Sequence, residues 1–574
     1  MESTKLREQG NKIFIGGWDY KAIEKYTQSI SYAMDNSEEL ALAHANRSAA
    51  LFRMEKYKDS INDIDKALSL KYPDKLKTKL FERKGLCLIA LGMPDAESSF
   101  QKALDWLDKM SLSDDKMKKL RSQLKTFISA PCAIVEISNN EIEHSMPQIG
   151  IPNREVPCAS DAVAIQYSKE LGRHLVATRK ISPGDVLAVE KPFCLFLKPE
   201  NFYTHCSRCL DVSWAMIPCK YCVNAMYCSQ TCKEEAWDEY HEMECPVLGI
   251  LLNLQLHMQG LFSTRLAIVA TKKGKDLDAL RKKLAEIDRS EDPRTKGYSA
   301  DGKFHSDQYS SVYSLVTNTD KRSASDLFGR AFNAAQITYI LGRESNLFGG
   351  KPVADIEALA KNPDATFVGG LILTHQQIIP SNIHTFGELR GLEHYERGAA
   401  AMPFYSLINH SCDPNVTRQS RQNHIVLYAL YPIVKGEQIF DNYGQHYAMT
   451  VKKERQEKLL QQFHFACQCK PCTEDWPLYD QIPSYNMQPL HQHTKTRLNK
   501  ILQKHNRYIE LAYEGKIEGE PNMLHNLLRM TELLYDLAQR PCVDLNNVVE
   551  TVKHVYSLQG NRFDVPEKPY TNKS

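Results

Sequence analysis

Small and apolar residues along the first 110 positions recur with the spacing of paired helices. Ala22, Ser60 and Ala96 lie 38 and 36 residues apart, each near the start of a helical pattern. A small side chain at that point lets two helices of a hairpin approach closely, while aromatic residues fill the space between pairs. The pattern predicts three helical repeats within residues 1–110, with an unrelated helical bundle as the alternative.

After the first helical region, the hydrophobic period changes several times. A polar linker with some helix is predicted first, and a charge-dense segment, residues 272–308, is predicted as a mobile loop. Short strands are predicted on both sides of a cysteine-rich stretch, and helices fill the rest. The strands are expected in 162–189 and 385–445, and the helices in 248–270, 311–379 and 490–560. The fold class expected is α+β with several domains.

Composition narrows the classes of protein that fit. A net charge of +2 provides no global basic field for nucleic acid. The polar start excludes a secretory signal, and no apolar run approaches the ~18 residues of a membrane span. The chain has 16 cysteines, most of them with metal-ligand spacing. A reducing compartment is therefore expected, either cytoplasmic or nuclear.

Eight residues of the types that bind metals lie within one short stretch. They are Cys206, Cys209, Cys219, Cys222, Cys228, Cys232, His241 and Cys245. They form four pairs whose spacing lets two side chains hold one tetrahedral ion, so the stretch predicts two zinc ions with closed shells. A closed shell leaves no position for water, so these ions stabilise structure and do no chemistry. Disulfides or a chance cluster are the alternatives.

Three further motifs follow in order. They are Asn409–Asn415 (NHSCDPN), Gly436–Gly444 (GEQIFDNYG) and Phe463–Cys472 (F-x-F-x-C-x-C-x2-C). Together they resemble the SET-domain lysine methyltransferases, and a SET domain interrupted by an eight-ligand zinc module resembles the SET- and MYND-domain (SMYD) family. The helical repeats resemble tetratricopeptide (TPR) repeats, whose period is about 34 residues. The resemblance is therefore to the TPR-bearing branch of the family.

The resemblance implies a division of the chain into eight parts. They are TPR-like repeats 1–110, a linker 111–159, the first SET part 160–204, a MYND zinc module 205–246, a helical SET insert 247–384, the second SET part 385–450, a post-SET zinc segment 451–476 and a C-terminal helical domain 477–574.

A third zinc site is predicted beyond the module. Cys467, Cys469 and Cys472 offer three thiolates, one fewer than a tetrahedral site requires, and Cys412 is the fourth candidate. Such an ion would couple metal binding to assembly of the site. A buried thiol without metal is the alternative for Cys412.

The resemblance implies methyl transfer from S-adenosylmethionine to a lysine amine of a histone or another protein. The amine must arrive neutral, which an apolar channel favours by lowering its pKa. Tyr443 matches the family tyrosine at the transfer site and is the catalytic candidate, with a tyrosine merely packed in a strand as the alternative. Phe463 replaces a tyrosine of several members, which is expected to change how many methyl groups are added.

The cofactor contacts implied by the resemblance carry over position by position. They are Gly172, Arg173, His174, Asn318, Asn382, Asn409, His410, Tyr443 and Phe465. His174 stands where the family has a second glycine, a departure that bears on cofactor affinity. The two middle asparagines could equally cap loops, and Phe465 could belong to a core.

The zinc module is expected to bind protein and not DNA. Residues 206–245 hold three basic and seven acidic side chains, a balance of −4, which is unfavourable for phosphate. The resemblance implies docking of proline-rich peptides there, and the TPR groove offers a second peptide surface. The alternative function is a catalytically weak scaffold that recruits partners, for example in transcriptional repression. A zinc-dependent DNA-binding regulator fits the charge poorly.

Overall fold

The computed structural model describes residues 1–129, 145–274, 276–349 and 352–565. Two compact units divide the chain. The first consists mainly of residues 1–129 and 199–236, and the second of residues 145–198 and 237–563. Residues 130–144, which belong to the predicted linker, lie outside the described part.

Helical hairpins build the N-terminal region. The helices are α1 (Glu2–Ile15), α2 (Asp19–Tyr32), α3 (Glu38–Arg53), α4 (Tyr57–Ser69), α5 (Lys77–Ala90), α6 (Ala96–Leu107) and α7 (Asp114–Ser129). The pairs α1–α2, α3–α4 and α5–α6 pack together, and the small residues Ala22, Ser60 and Ala96 are buried near the start of each second helix. The predicted helical region is confirmed, and its identity as TPR stays a prediction.

Glycines allow two of these hairpins to close tightly. A Cβ at Gly10 would stand 2.6 Å from the Tyr26 ring, and one at Gly85 would stand 2.6 Å from the Phe100 ring. Helix α7 then packs on α6, burying Leu124 in the same cluster as Phe100. The helical region therefore continues into the segment predicted as a linker.

Four strands precede the cysteine-rich stretch. They are β1 (Val163–Ser168), β2 (Gly172–Ala177), β3 (Val186–Glu190) and β4 (Cys194–Leu197). Strands β1 and β2 form an antiparallel pair. The turn before β3 closes when the Ser182 N–H donates to the Asp185 carboxylate at 2.9 Å, with Gly184 at φ +91°.

The cysteine-rich stretch contains little regular structure. Its first part has a two-stranded ribbon, β5 (Ile217–Pro218) with β6 (Met226–Tyr227), and helix α8 (Gln230–Ala236). The second unit resumes with a π-helical turn, Trp237–His241, and helix α9 (Glu242–Asn253).

The insert that follows is helical. Its helices are α10 (Met258–Lys273), α11 (Leu277–Asp288), α12 (Tyr309–Tyr313), α13 (Ala324–Glu344), α14 (Ile356–Lys361) and α15 (Pro363–Asn382). The prediction of a mobile loop over 272–308 was wrong for α11. The Asp276 carboxylate caps this helix, and Leu280, Leu284 and Ile287 bury one face of it. The high charge of the segment belongs to the other, solvated face.

The second strand-rich stretch completes the sheets begun before the cysteines. Its strands are β7 (Ile383–Arg390), β8 (Glu393–Ala401), β9 (Asn409–His410), β10 (Val416–Arg421), β11 (His424–Ala429) and β12 (Phe440–Asp441). The sheets run β4-β8-β7 and β10-β11-β3, and β9 pairs in parallel with β12. Strands that are separated by more than 200 positions therefore share sheets, as the resemblance to an interrupted domain implies.

Helices close the second unit. They are α16 (Lys452–Phe463), α17 (Lys470–Thr473), α18 (Gln492–Leu502), α19 (His505–Tyr513), α20 (Met523–Leu537) and α21 (Val543–Leu558). The last four bury a core that includes Leu527, Leu534 and Val552 and extends to Val426 of β11. No described helix combines the length and the apolar character that a membrane crossing requires.

Candidate active site and metal centres

The twelve predicted metal ligands fall into three groups of four. Within each group the ligand atoms lie within 4.8 Å of one another. The groups are Cys206, Cys209, Cys228 and Cys232; Cys219, Cys222, His241 and Cys245; and Cys412, Cys467, Cys469 and Cys472. Within the module, the pair Cys206 and Cys209 shares a group with the pair Cys228 and Cys232, and the other two pairs share the second group. Spacing alone left this assignment open. Four thiolates, or three with an imidazole, form a donor set that suits zinc.

Local hydrogen bonds shape the first group. The Ser207 N–H donates to the Met226 carbonyl at 2.7 Å, and the Met226 N–H donates to Ser207 Oγ at 3.2 Å. Ser229 Oγ accepts from the Cys232 N–H at 3.1 Å, which fixes the start of α8. The contacts that hold Ser207 and Cys232 thus lie within the stretch that contains the four cysteines.

A buried acid orients His241. Glu244 Oε2 lies 3.5 Å from His241 Nδ1, and Arg265 donates to both carboxylate oxygens at 2.8 and 2.7 Å. Burial alone would raise the pKa of Glu244, but Arg265 and His241 hold it at about 2. An ionised partner of this kind fixes the orientation of a ligating imidazole.

The third group joins two distant segments and a buried cation. The Cys412 N–H donates to Cys469 Sγ at 3.4 Å. The fully buried Arg455 donates through Nη2 to Cys472 Sγ at 3.6 Å and through Nη1 to the Thr450 carbonyl at 2.6 Å. The positive charge of Arg455 compensates part of the negative charge of the thiolates. Sequence reasoning missed Arg455, although it shares a buried face of α16 with Leu459, one turn later.

Residues from both strand-rich stretches meet next to this group. Asn409 Nδ2 donates to the Leu171 carbonyl at 3.3 Å, and the Ala177 N–H donates to the Glu437 carbonyl at 2.9 Å. Gly172 follows Leu171 directly, so its loop lies beside Asn409. The structure therefore brings the Gly172 loop, the NHSC motif and the segment before Tyr443 together.

His410 connects the metal ligands to Tyr443. Its Nδ1 accepts the Tyr443 N–H at 3.0 Å, so Nε2 carries the proton and faces Cys412 Sγ at 3.4 Å. Burial lowers the pKa of His410 to about 4, which keeps the imidazole neutral. The ring thus fixes the backbone of the candidate catalytic tyrosine.

Tyr443 lies among aromatic rings. Its hydroxyl donates to the Ile408 carbonyl at 2.6 Å. The ring centroid lies 4.6 Å from that of Phe463 and 6.4 Å from that of Phe465, which meets it edge-on. Burial raises the pKa of the phenol well above its usual range, so the hydroxyl stays protonated.

Asn415 holds the first two motifs in register. Its Oδ1 accepts the Phe440 N–H at 2.7 Å, and its Nδ2 donates to the Gln438 carbonyl at 2.9 Å. The backbone N–H of Asn415 donates in turn to the Phe440 carbonyl at 3.1 Å. Sequence reasoning gave Asn415 no role, although its place at the end of NHSCDPN could have indicated one.

A 3-10 turn, Tyr405–Leu407, precedes Asn409, and the buried acid Glu190 holds its start. The Glu190 carboxylate accepts the N–H groups of Phe404 and Tyr405 at 3.0 and 2.9 Å. Burial raises the pKa of Glu190 to about 8. This side chain, at the end of β3, thus positions the entry to the NHSC loop.

The first predicted cofactor loop has an open backbone. Gly172 has φ +67°, and a Cβ added there would meet nothing within 4 Å. His174 is buried, with Nδ1 3.0 Å from the Gly172 carbonyl. Arg173 instead donates to the Lys296 and Ser314 carbonyls, each at 2.6 Å. Its guanidinium therefore anchors the insert, and burial lowers its pKa to about 10.

Asn318 and Asn382 each donate a hydrogen bond to the segment that contains the other. Asn382 Nδ2 donates to the Val316 and Ile378 carbonyls, both at 2.9 Å, so both of its amide protons are used. Asn318, at φ +52°, donates to Ser381 Oγ at 3.4 Å. Both therefore make contacts that fit the alternative of loop capping.

The chain is similar to known proteins over the region that contains this site. A family model for the SET domain matches residues 172–444. The mouse protein-lysine N-methyltransferase SMYD4 is 28% identical over 534 residues, 81% of this chain and 66% of the relative. The human protein of that name is 28% identical over 542 residues, 82% of this chain and 66% of the relative. The mouse histone-lysine N-methyltransferase SMYD3 is 24% identical over 305 residues, 53% of this chain and 60% of the relative.

These matches define a SET-domain protein. More narrowly, the chain is similar to the SMYD proteins named here, and to SMYD4 over about four fifths of its length. It spans slightly less than two thirds of the length of the first two of these relatives.

Proposed function

We propose that the protein is an S-adenosylmethionine-dependent protein-lysine N-methyltransferase. One observation carries the proposal: Asn409 touches the Gly172 loop while His410, in the same motif, holds Tyr443. Residues from three separate motifs thus surround one place, in a chain whose relatives are named protein-lysine N-methyltransferases.

The chain's residues fit the cofactor. Gly172 offers an open backbone in the left-handed region, where a ligand can approach closely. Phe465 offers a ring beside His410, with centroids 6.1 Å apart, and Asn409 and His410 offer polar atoms. Gly172, Arg173, His174, Asn409, His410 and Phe465 are the residues we assign to binding, with Asn318 and Asn382 supporting the loops around them. When bound, the cofactor supplies a methyl group on a sulfonium.

The chain itself must orient the substrate lysine and keep its amine uncharged. Tyr443 donates its only proton to Ile408, so its oxygen is left as an acceptor toward the amine and the methyl group. Phe463 presents an apolar ring beside it, and aromatic surroundings lower the pKa of an amine that enters them. The rings also favour the methylated cation. Alignment of this kind supplies much of the rate in a transfer between two bound groups.

Zinc has a structural role in this proposal. Each of the three groups has four ligands, which closes a tetrahedral shell and leaves no position for substrate. We assign the first eight ligands to a MYND module, which with the TPR-like region would bind protein partners. The compartment we propose is cytoplasmic or nuclear.

Calorimetry and one substitution test the proposal. Tyr443→Phe is expected to lower methyl transfer to a peptide array about 100-fold or more, because alignment is lost, while S-adenosylhomocysteine affinity stays unchanged. The control is Tyr447→Phe, which removes a hydroxyl that bonds Asn546 instead. Retained transfer in Tyr443→Phe would refute the role of this residue.

A scaffold function is the second candidate. Phe463, in contact with Tyr443, lacks the hydroxyl that several family members have, and His174 occupies a glycine position, so weak catalysis would follow from either departure. The absence of heat with S-adenosylhomocysteine at high concentration would favour the scaffold over the enzyme.

A further inference from the structure

A polar groove of about 750 Å³ lies in the second unit, between strand residues and the C-terminal helices. The strand side includes Thr385 of β7 and Arg418 of β10, and the helical side includes Asn547 and Lys553 of α21. We call it the β7–β10 groove. Its lining contains several ionisable side chains, and their pairing decides what the groove can bind.

The carboxylates of the groove have cationic partners. Glu550 pairs with Lys553 at 2.7 Å. Glu396 pairs with Lys198 at 2.5 Å. Glu388 accepts from two arginines outside the lining, Arg390 and Arg397, each at 2.6 Å.

The two histidines of the lining add no charge near neutral pH, since burial lowers the pKa of both His394 and His554. Ser557 Oγ lies 3.4 Å from His394 Nε2, and His554 Nε2 lies 3.1 Å from the Ala512 carbonyl. Arg418 is the cation of the lining that makes no hydrogen bond or ion pair within 4 Å with a carboxylate among the described residues, although its charge opposes the rise that burial causes in the pKa of Asp441.

Arg418 has a buried donor that is not used. Its Nη1 is inaccessible to solvent and has no hydrogen-bond partner among the described residues. The guanidinium lies 5.1 Å from the centroid of the Tyr405 ring. A buried guanidinium nitrogen without an acceptor is costly, so a ligand whose oxygens reach it once the side chain turns toward the groove gains affinity.

The position of Arg418 connects the groove to the catalytic candidate. The hydroxyl of Tyr405, the ring beside Arg418, donates to the Asp441 carboxylate. Asp441 lies in β12, two residues before Tyr443. A group bound by Arg418 would therefore lie close to the lysine that Tyr443 aligns.

We propose that Arg418 binds a carboxylate of the protein substrate and selects lysines with such a group nearby. This inference rests on the proposed methyltransferase function. A guanidinium presents parallel N–H groups that match the two oxygens of a carboxylate. The carboxylate comes from an Asp or Glu side chain or from the C-terminus of the substrate.

Binding of labelled peptides tests the proposal without turnover. One series carries a central lysine with Glu at successive flanking positions, each peptide matched by a Gln peptide, and one pair differs only by a C-terminal acid or amide. We expect one acidic position, or the free C-terminus, to tighten binding to the wild-type chain about tenfold, measured by fluorescence anisotropy. If no acidic peptide is preferred, the proposal is wrong.

Substitutions then assign the preference to Arg418. In Arg418→Met the gain should fall to about twofold or less, and Arg418→Lys should restore only part of it because the paired donors are lost. The control is Arg421→Met, which removes the same charge from β10 outside the groove. A preference that persists in Arg418→Met would show that Arg418 merely balances Asp441. The wild-type peptide series does not depend on the folding of any variant.

The two levels of the proposal can fail separately. Acidic peptides that bind through Arg418 but accept no methyl group would refute the methyltransferase and leave the binding site. Methyl transfer that is indifferent to the acidic position would refute the role of Arg418 alone.

Discussion

The first and third metal groups each consist of four cysteine thiolates, but they differ in how far apart their ligands lie in the sequence. The first runs from Cys206 to Cys232, and hydrogen bonds from the ribbon and at the start of α8 hold residues at or next to its ligands. The third joins Cys412 to a segment that begins 55 residues later, at Cys467. It also contacts His410, which holds Tyr443.

An ion in the first group therefore stabilises a local module, whereas an ion in the third group would hold the candidate active site together. Loss of the third ion would separate the NHSC loop from residues 463–472, which carry Phe463, Phe465 and the other three ligands and which we call the flap. Metal binding and cofactor binding should thus be coupled for one group and not for the other.

Replacing one ligand in each group gives the largest expected effect. Cys412→Ser should cost one zinc per chain and weaken binding of S-adenosylhomocysteine by about 100-fold or more, since the loop loses its anchor. Cys206→Ser should also cost one zinc but leave that affinity unchanged. Zinc content and calorimetric titration measure both, and equal losses of affinity would break the distinction between the groups.

A packing substitution examines the N-terminal region by itself. Gly10→Ala places a Cβ 2.6 Å from the Tyr26 ring and should destabilise the chain by about 1–3 kcal/mol. Gly329→Ala, in α13, meets nothing within 4 Å and should instead stabilise by about 0.5–1 kcal/mol. Denaturant unfolding measures the signs, and two changes of the same sign would contradict the prediction. Cofactor affinity should stay constant in both variants.

A separate effect is expected from pH acting on Glu190. Its pKa is raised from 4.5 to about 8 in the folded chain, so between these values the folded chain holds a proton that the unfolded chain has lost. This contribution is complete below the lower value and declines as pH rises through the window. The melting temperature of the wild-type chain should therefore fall more steeply from pH 5 to 8 than that of Glu190→Gln. Parallel profiles would exclude Glu190 as a source of the pH dependence.

Residue spacing predicted the features that repeat locally, and the family resemblance predicted others. The helical region follows from small residues at regular intervals, and the metal ligands follow from the spacing of cysteines and one histidine. The pairing of strands across the cysteine-rich stretch was implied by the resemblance to a SET domain that a zinc module interrupts. In each case the physical constraint acts on neighbouring positions or on one shared site.

Features that depend on contacts between distant segments were not predictable. Helix α11 is a different case, because Leu280, Leu284 and Ile287 recur at helical spacing and the density of charge around them was interpreted as a loop. Arg455 looks like any basic residue of a polar helix until Cys472 is placed beside it. Arg173 and Asn382 matched cofactor positions, yet much of their hydrogen bonding is directed at the insert, which only the folded backbone reveals.

The separation of Cys412 from Cys467 has a consequence during synthesis. At roughly 5–20 residues per second, a ribosome needs several seconds to extend the chain from one cysteine to the other. Through that interval the NHSC loop has been made but its thiol partners have not, so Cys412 is exposed to oxidants and to mispairing. Newly made copies should thus be most sensitive to oxidative stress before the flap emerges, and mature copies much less so.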